Sequence, residues 1–326
     1  MILPDYYNKF RCIGSECRNN CCRGGWEIEV DDESLERFNN AEGAFGEKIR
    51  TSINEENVFI HKNGQCPLLS SDGLCEMVKH GIDLCTVCDE YPRFTEFYED
   101  YAERGISVSC EAAADIILNN TEKVKLTGDT GKCTHPIFSL IFNARNNVFE
   151  ILQNREQDIN TRLRLALNYT AELQEQININ NYDIFSYAPV DEKGSPCANL
   201  EYACLLTELN ILNDSWNGYL DKLIENEKGE KLRSGNQIKL EQLAVYFTYR
   251  YFLKGAFDCD VLSKMKFVIV SVVTISALAA ICGDFNDCAR LYSIEVEHDE
   301  DNVDAVYDEF LFNEKFSYDG IMSLIS

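Results

Sequence analysis

The sequence predicts a mainly α-helical protein in which a loop-rich, cysteine-rich N-terminal module packs on a helical body. Nine of the fifteen cysteines fall within the first 110 of 326 residues. Beyond residue 110, apolar residues recur at spacings of three and four, which is the period of a helix. A hydrophobic content of 45% is ordinary for a globular protein. We therefore expect a metal-binding module over residues 1–110 and a helical domain over residues 111–326, together forming one integrated unit.

The N-terminal module is predicted to contain little regular structure apart from one helix near residues 32–39. Asp31 or Asp32 would cap this helix, and Leu35 and Phe38 would face inward. Trp26 follows two glycines, and we expect its indole to cover the neighbouring cysteines and to keep water from them.

The helical body is predicted to consist of successive helices interrupted by a polar linker at about residues 177–196. Aromatic residues surround the helix near residues 246–252, which favours burial in the core over a cofactor site. Residues 267–282 carry no charge but are fewer than the roughly twenty needed to span a bilayer, so we expect a buried core helix. The predicted helices cover residues 111–118, 138–152, 160–173, 200–224, 238–257, 267–282 and 303–311.

The charge balance limits the classes of partner. A formal net charge of −25 argues against nucleic acid and against an anionic membrane, and it favours a lysine-bearing or otherwise cationic partner. Acidic balance also keeps many proteins soluble with no such partner. The N-terminus lacks the basic and apolar regions of a secretory signal, so a cytoplasmic protein is expected. In that reducing compartment cysteines favour metal ligation over disulfides.

The N-terminal cysteines are the candidate metal ligands, because thiolates at short spacings can surround a soft metal centre. They exceed the four that one zinc ion or one cluster requires, so which four bind, and whether a second centre exists, stays open. A helix over residues 17–21 would place Cys17 and Cys21 on one face, and a turn at residues 70–73 would bring Cys66 and Cys75 together. The candidates are Cys12, Cys17, Cys21, Cys22, Cys66, Cys75, Cys88 and Cys110.

The order of these cysteines resembles a known family. The pattern C-x4-C-x3-CC before GGW, then CPLL, DGLC, C-x2-YPR and SC-x-AA, is similar to that of the flagellin lysine-N-methylases. The first block is also similar to the zinc- or iron-chelating CxxCxxCC proteins. The resemblance continues in AVYFTYRYFLKGAFDCD, KMKF and YSIEVEHDEDN, so it covers nearly the whole chain. The second glycine of GGW, the alanine-rich SCEAAA and the additional Cys85 depart from the family pattern.

The resemblance implies transfer of methyl groups from S-adenosylmethionine to surface lysines of flagellin or a similar protein, with a 4Fe–4S cluster held by some of these thiols. Zinc is the alternative metal. Catalytic residues are not evident. Tyr91, Arg93 and His298 are candidates, although a turn with an ion pair would equally explain Tyr91 and Arg93, and a surface or structural role would explain His298. No GxGxxG marks a donor site, and CxxxCC differs from the radical CxxxCxxC signature, so radical and polar transfer both stay open. A non-enzymatic zinc- or iron-binding structural or interaction protein is the alternative function, and redox sensing is a third.

Overall fold

The computed structural model describes residues 1–128, 135–194, 201–225 and 236–326. It confirms the prediction of a mainly α-helical protein, to which a small sheet is added. The helices are α1 (Asp32–Asn39), α2 (Gly43–Arg50), α3 (Glu76–His80), α4 (Thr86–Glu90), α5 (Glu111–Leu118), α6 (Pro136–Leu152), α7 (Ile159–Asn178), α8 (Glu201–Thr207), α9 (Ser215–Glu225), α10 (Gln237–Tyr251), α11 (Gly255–Asp258), α12 (Val261–Cys282), α13 (Phe285–Tyr292), α14 (Glu300–Phe312) and α15 (Tyr318–Leu324).

A four-stranded sheet, which the sequence analysis did not predict, joins the N-terminus to the helical body. Its strands are β1 (Ile2–Pro4), β2 (Arg93–Tyr98), β3 (Tyr101–Ile106) and β4 (Leu126–Gly128), in the order β2-β3-β1-β4. Strands β2 and β3 form an antiparallel hairpin, and β1 runs parallel to β3. Most side chains of β2 are only half-buried, and the other outer strand, β4, has three residues. Neither strand therefore shows the alternation of apolar and polar residues that predicts a strand.

Helix α12 lies at the centre of the larger core and packs against α7, α10 and α13. By length and composition it could cross a membrane, but 72% of its most apolar window is buried inside the protein, as expected for a core helix. It begins six residues before the predicted start, because two lysines are accommodated there. Lys264 Nζ lies 2.5 Å from Asp258 and Lys266 Nζ donates to the Phe310 carbonyl at 2.8 Å, so both charges are satisfied within the fold.

The single helix predicted over residues 200–224 is wrong, since the structure divides it into α8 and α9. The intervening backbone is held by side chains from elsewhere in the fold. The amide of Asn210 donates to Asn302 Oδ1 at 2.8 Å, and the amide of Leu212 donates to Glu295 Oε2 at 2.9 Å. Asn213 then accepts from the Ser215 amide at 3.0 Å and starts α9. These long-range hydrogen bonds replace the helical ones that the apolar spacing predicts.

A second, smaller core lies in the cysteine-bearing N-terminal segment. Partly buried Cys66, Cys75 and Cys88 pack against this core. The core belongs to residues 30–85 alone, whereas β1, β3 and α5 pack into the larger core. The division of domains at residue 110 stays a prediction. The buried members of the second core are Val30, Phe38, Ile49, Phe59, Leu68, Met77 and Cys85.

Candidate functional site

The two cysteine blocks meet in space, although more than forty residues separate them in the sequence. The backbone amide of Cys66 donates to the carbonyl of Cys22 at 2.8 Å, and the thiol of Cys22 interacts with those of Cys21 and Cys66. A β-bridge between Leu69 and Cys75 returns the chain toward Cys66, as the predicted turn requires. Helix α4 carries Cys88, whose thiol interacts with that of Cys85. We call Cys21, Cys22, Cys66, Cys75, Cys85 and Cys88 the thiol cluster.

The remaining candidate cysteines lie beside the thiol cluster, at the start of α5. Cys110 precedes α5 at its N-cap position, and the Cys17 thiol donates to Glu111 Oε2 at 3.5 Å. Burial raises the pKa of Cys17 to about 12, and the Glu111 carboxylate adds to the effect. Burial likewise raises the pKa of Cys110 to about 11. Cys12 is exposed. Without a bound cation the thiols of Cys17 and Cys110 stay protonated at neutral pH.

Residues 17–21 do not form the helix that would have placed Cys17 and Cys21 on one face. Cys17 is extended, and a short 3₁₀ turn begins only at Cys21. The amide of Asn19 donates to Glu111 at 2.9 Å. The side chain of Asn20 accepts from the Cys22 amide at 2.9 Å and donates to the Gly73 carbonyl at 2.7 Å. These contacts hold the backbone in a non-helical path, so Cys17 and Cys21 do not share a helix face.

Proton sharing within the thiol cluster makes its members unequal. The Cys22 thiol donates toward Cys21 and Cys66 and lowers the pKa of each to about 7, while the same interactions raise the pKa of Cys22. Among the described residues, no three His, Cys, Asp or Glu side chains already stand in a metal-coordinating arrangement. The donors nevertheless fit a zinc ion or an iron–sulfur cluster in kind and in number, since either needs four or fewer thiolates.

Cys85 was not among the predicted ligands, yet it belongs to the thiol cluster. It is fully buried, and interaction with the Cys88 thiol lowers its pKa to about 7. The signal was present in the sequence, because Cys85 and Cys88 form a CxxC pair at the start of a helix, which is a common spacing of metal ligands. Its absence from the family pattern hid this spacing.

Three aromatic rings meet beside the thiol cluster, at the junction with the helical body. The centroids of Trp26 and His298 lie 4.9 Å apart, those of Trp26 and Tyr91 lie 5.4 Å apart, and those of Tyr91 and His298 lie 6.2 Å apart. The indole Nε1 of Trp26 donates to the Cys21 carbonyl at 2.9 Å, so the indole lies against the backbone of the thiol cluster, and its covering of the thiols stays a prediction. Gly24 makes room for this indole, since a Cβ there would lie 2.4 Å from Nε1. We call Trp26, Tyr91 and His298 the aromatic patch.

A buried polar network lies on the helical body next to the aromatic patch. Glu297 ends a π-helical turn, Ser293–Glu297, and its side chain is 0% exposed. The hydroxyls of Tyr246 and Tyr251 donate to Glu297 at 3.1 and 3.0 Å, and Arg250 Nε lies 3.2 Å from it. We call these four residues the Glu297 network. π-Helical turns are rare and are frequent at functional sites.

The Glu297 network also contacts the turn that carries Cys110. The Tyr246 hydroxyl accepts from the amide of Val108 at 3.4 Å. One residue later, the Ser109 hydroxyl accepts from the Tyr91 hydroxyl at 3.1 Å. The network therefore links the π-helical turn of the body to the segment bearing the thiols and the aromatic patch. The sequence analysis did not select Tyr246, Tyr251, Arg250 or Glu297 as site residues, although they lie in two stretches that resemble the family, AVYFTYRYFLKGAFDCD and YSIEVEHDEDN.

The three candidate catalytic residues have different outcomes. The structure brings Tyr91 and His298 together in the aromatic patch. Arg93 is placed apart from it, with its Nη1 donating to the Asp89 carbonyl at 3.0 Å and its guanidinium 5.2 Å from the Phe10 ring. His298 is exposed at one edge. Its pKa lies below the ordinary value, because the surrounding protein desolvates the rest of the ring and the Arg250 cation is near.

Comparison with known proteins bears on the part of the chain that carries the Glu297 network. Residues 195–324 match the family model of the FliB lysine N-methylase C-terminal domain. The predicted resemblance to the lysine N-methylases is confirmed for these residues, and its extension over nearly the whole chain stays a prediction. No solved structure matches the chain.

Three curated relatives are similar at modest identity. The chain is 27% identical over 142 residues to a lysine-N-methylase of Salmonella typhimurium, and equally to one of Salmonella choleraesuis; each match covers 39% of this chain. It is 26% identical over 154 residues to the flagellar biosynthetic protein FliU of Salmonella muenchen, covering 43% of this chain and 89% of FliU. The chain spans only about a third of the length of the two lysine-N-methylases, 34%.

Proposed function

We propose that this chain is a cytoplasmic protein lysine N-methyltransferase that moves a methyl group from S-adenosylmethionine to surface lysines of flagellin or a similar protein. One observation carries the proposal. The segment that is similar to the FliB C-terminal domain contributes His298 and the Glu297 network, and these meet the aromatic patch and the thiol cluster at one junction. A protein in which the cysteines served only a detached metal domain would have no need of this junction.

The proposal includes a 4Fe–4S cluster, with zinc as the alternative metal. Thiolates from the thiol cluster, together with Cys12, Cys17 and Cys110, form the pool of ligands. When bound, an iron–sulfur cluster supplies one-electron chemistry at a potential that its protein surroundings set. These cysteines outnumber the four ligands that a cluster needs, and replacing each cysteine in turn would identify the four.

In this proposal the residues of the junction prepare the acceptor amine. A lysine must lose its proton before it can attack a methyl group, and a hydrogen-bond acceptor beside the neutral amine orients it for that attack. His298 is exposed and its lowered pKa keeps the imidazole neutral, so we assign it to orienting the amine as a hydrogen-bond acceptor and not to removing the proton. Glu297 is fully enclosed and cannot reach a substrate, so we assign it to positioning the π-helical turn that precedes His298.

The direct test is methylation of flagellin by the full chain, purified without oxygen, in the presence of S-adenosylmethionine carrying a labelled methyl group. We expect label on lysine side chains, located by mass spectrometry. His298→Ala should lower the rate about two- to ten-fold, the effect of losing one orienting hydrogen bond of roughly 0.5–1.5 kcal/mol. His135→Ala is the matched control, because His135 is exposed and lies at the start of α6. No labelled lysine on flagellin would refute the proposal.

The alternative, a non-enzymatic metal-binding structural protein, has one observation in its favour. The thiol cluster packs against the second core, which has only seven buried side chains. A core of that size supplies little free energy of folding by itself, so a bound metal ion would add substantially to its stability. Under this alternative, Cys66→Ser unfolds the N-terminal segment and no substrate acquires a methyl group in any form of the protein.

A further inference from the structure

We propose that the aromatic patch is the acceptor-binding surface, where a protonated or methylated lysine side chain of the partner protein lies against the rings of Trp26, Tyr91 and His298. The inference rests on the proposed function and deepens it by assigning the place and the chemistry of acceptor binding. None of the cysteines or the residues of the Glu297 network is needed as a direct contact.

The shape of the aromatic patch decides how a cation binds there. The ring centroids lie 4.9–6.2 Å apart. The rings therefore contact one another, and no cation fits between them. The ring planes are inclined by 43–64°, which makes the patch a bent surface with parts of several rings open to solvent. Trp26 and Tyr91 are half-buried and His298 is exposed. A lysine side chain would lie across this surface with its ammonium group over a ring face.

The electrostatics favour a cation over other ligands. Aromatic faces attract ammonium groups and their methylated forms, and tryptophan does so most strongly. Two cations act on the patch, Arg250 on His298 and Arg290 on Tyr91. Each is paired with a carboxylate that reduces its opposition to a bound ammonium group, Glu297 at 3.2 Å and Asp287 at 2.9 Å respectively. The overall charge of −25 draws cationic surfaces toward this protein. Methylation would leave the cation–π attraction in place, so one surface serves successive transfers to the same amine.

The position of the patch also fits this role. The indole of Trp26 is anchored to the Cys21 carbonyl, and the Tyr91 hydroxyl is anchored to Ser109, so two of the three rings are held by the backbone that bears the thiols. The third ring belongs to the segment that is similar to the FliB C-terminal domain. An amine on the patch would therefore lie between the two parts of the chain that the proposed chemistry requires.

Tryptophan fluorescence tests the inference without any methyl transfer. The full chain has two tryptophans, and Trp216 is 1% exposed, so Trp26 is the one that a ligand reaches. The probes are a short peptide with one lysine, the same peptide with trimethyllysine, and a neutral isostere that has a tert-butyl group in place of the ammonium. We expect a saturable change with both cationic peptides, none with the isostere, and none with any probe for Trp26→Phe.

Variants of Tyr91 distinguish the contribution of its ring to binding from that of its hydroxyl group. Tyr91→Phe keeps the ring and should bind as the wild type does, whereas Tyr91→Ala and His298→Ala should each weaken binding about two- to five-fold. Equal responses to the isostere and the cationic peptides would overturn the inference, as would a response to S-adenosylmethionine with none to the peptides. Unweakened binding by both alanine variants would also overturn it.

Failure of the inference is distinguishable from failure of the proposed function. If flagellin is methylated with an unchanged KM by Tyr91→Ala and no peptide alters the fluorescence, the acceptor binds elsewhere and the enzyme assignment stands. If the peptides bind with the expected preference while flagellin receives no methyl group, the surface stands and the enzyme assignment falls.

Discussion

Replacing Glu297 with glutamine tests whether the Glu297 network fixes the junction. The carboxylate is 0% exposed and the partner guanidinium of Arg250 is 13% exposed, so the substitution leaves a cation nearly buried without its counter-charge. Removing one partner of a buried pair costs about 3–5 kcal/mol. The two tyrosine hydroxyls lose a charged acceptor but keep the amide oxygen of glutamine as a neutral one, which limits the added loss. We expect the free energy of unfolding to fall by about 3 kcal/mol.

Urea denaturation of the purified chain, followed by circular dichroism, measures this change at constant slope. The matched control is Asp72→Asn, which breaks the exposed ion pair with Lys79, where the two side chains are 58% and 35% exposed. Surface pairs contribute under about 1 kcal/mol, so the control should change little. A double variant, Arg250→Met with Glu297→Gln, should be at least as stable as Glu297→Gln alone, because no unpaired cation remains.

Two results would refute the reasoning. A loss below about 1 kcal/mol for Glu297→Gln would mean that water reaches the pair and screens it. A double variant less stable than the single one by the full cost of Arg250→Met would mean that the two side chains are not coupled.

Three further predictions concern pH, packing and metal content. Burial raises the pKa of Glu295, so its protonated form is favoured on folding; the stability it contributes is present below its unfolded pKa and is lost as pH rises through the higher folded value. Glu295→Gln should therefore gain stability relative to wild type as pH rises from acid to neutral, measured by urea denaturation across pH. Gly24→Ala should displace the adjacent indole and red-shift its fluorescence, since the added Cβ would lie 2.4 Å from it, whereas Gly218→Ala, with nothing within 4 Å, should stabilise α9 by about 0.5–1 kcal/mol. Anaerobically purified protein should contain about four irons with matching sulfide, and Cys66→Ser should lower both while Cys204→Ser, at an exposed position of α8, should not.

Each of these has a contrary outcome. A constant stability difference between Glu295→Gln and wild type at all pH values would show that the carboxyl group titrates as it does in the unfolded chain. An unchanged emission maximum in Gly24→Ala would mean that the indole does not depend on the missing side chain. One zinc per chain with no sulfide would replace the cluster by the structural alternative, and equal metal loss in Cys66→Ser and Cys204→Ser would remove the thiol cluster as its site.

The sequence predicts helices well where their own residues determine them. Helix α1 has the predicted bounds because Asp31 accepts from the Ser34 amide and the inward face carries Phe38. Helix α5 likewise matches its prediction. The prediction fails at residues 208–214, where side chains distant in the sequence replace the helical hydrogen bonds. The backbone amides of Asn210 and Leu212 donate to Asn302 and Glu295. No local pattern contains those partners.

The candidate site divides in the same way. The cysteines are visible in the sequence because their spacing is itself the signal. The contact of His298 with Trp26 is not visible, because it joins residues at opposite ends of the chain. The Glu297 network is hidden for a further reason: a glutamate within an acidic stretch reads as a surface residue, and only the fold shows that Arg250 and two tyrosines enclose it.

The position of the thiols depends on the part of the chain that is most distant from them in sequence. The loop bearing Cys17 and Cys21 has no α-helix of its own, and it is fixed by Glu111 of α5 and by Asp287 of α13, whose Oδ1 accepts from Asn19 at 3.0 Å. Helix α13 lies within the segment that is similar to the FliB C-terminal domain. Because that segment fixes both the thiol loop and the ring of His298, changes in it alter the distance between them. The C-terminal segment and the cysteine-bearing loop therefore depend on the same junction. We expect neither of them to function without the other.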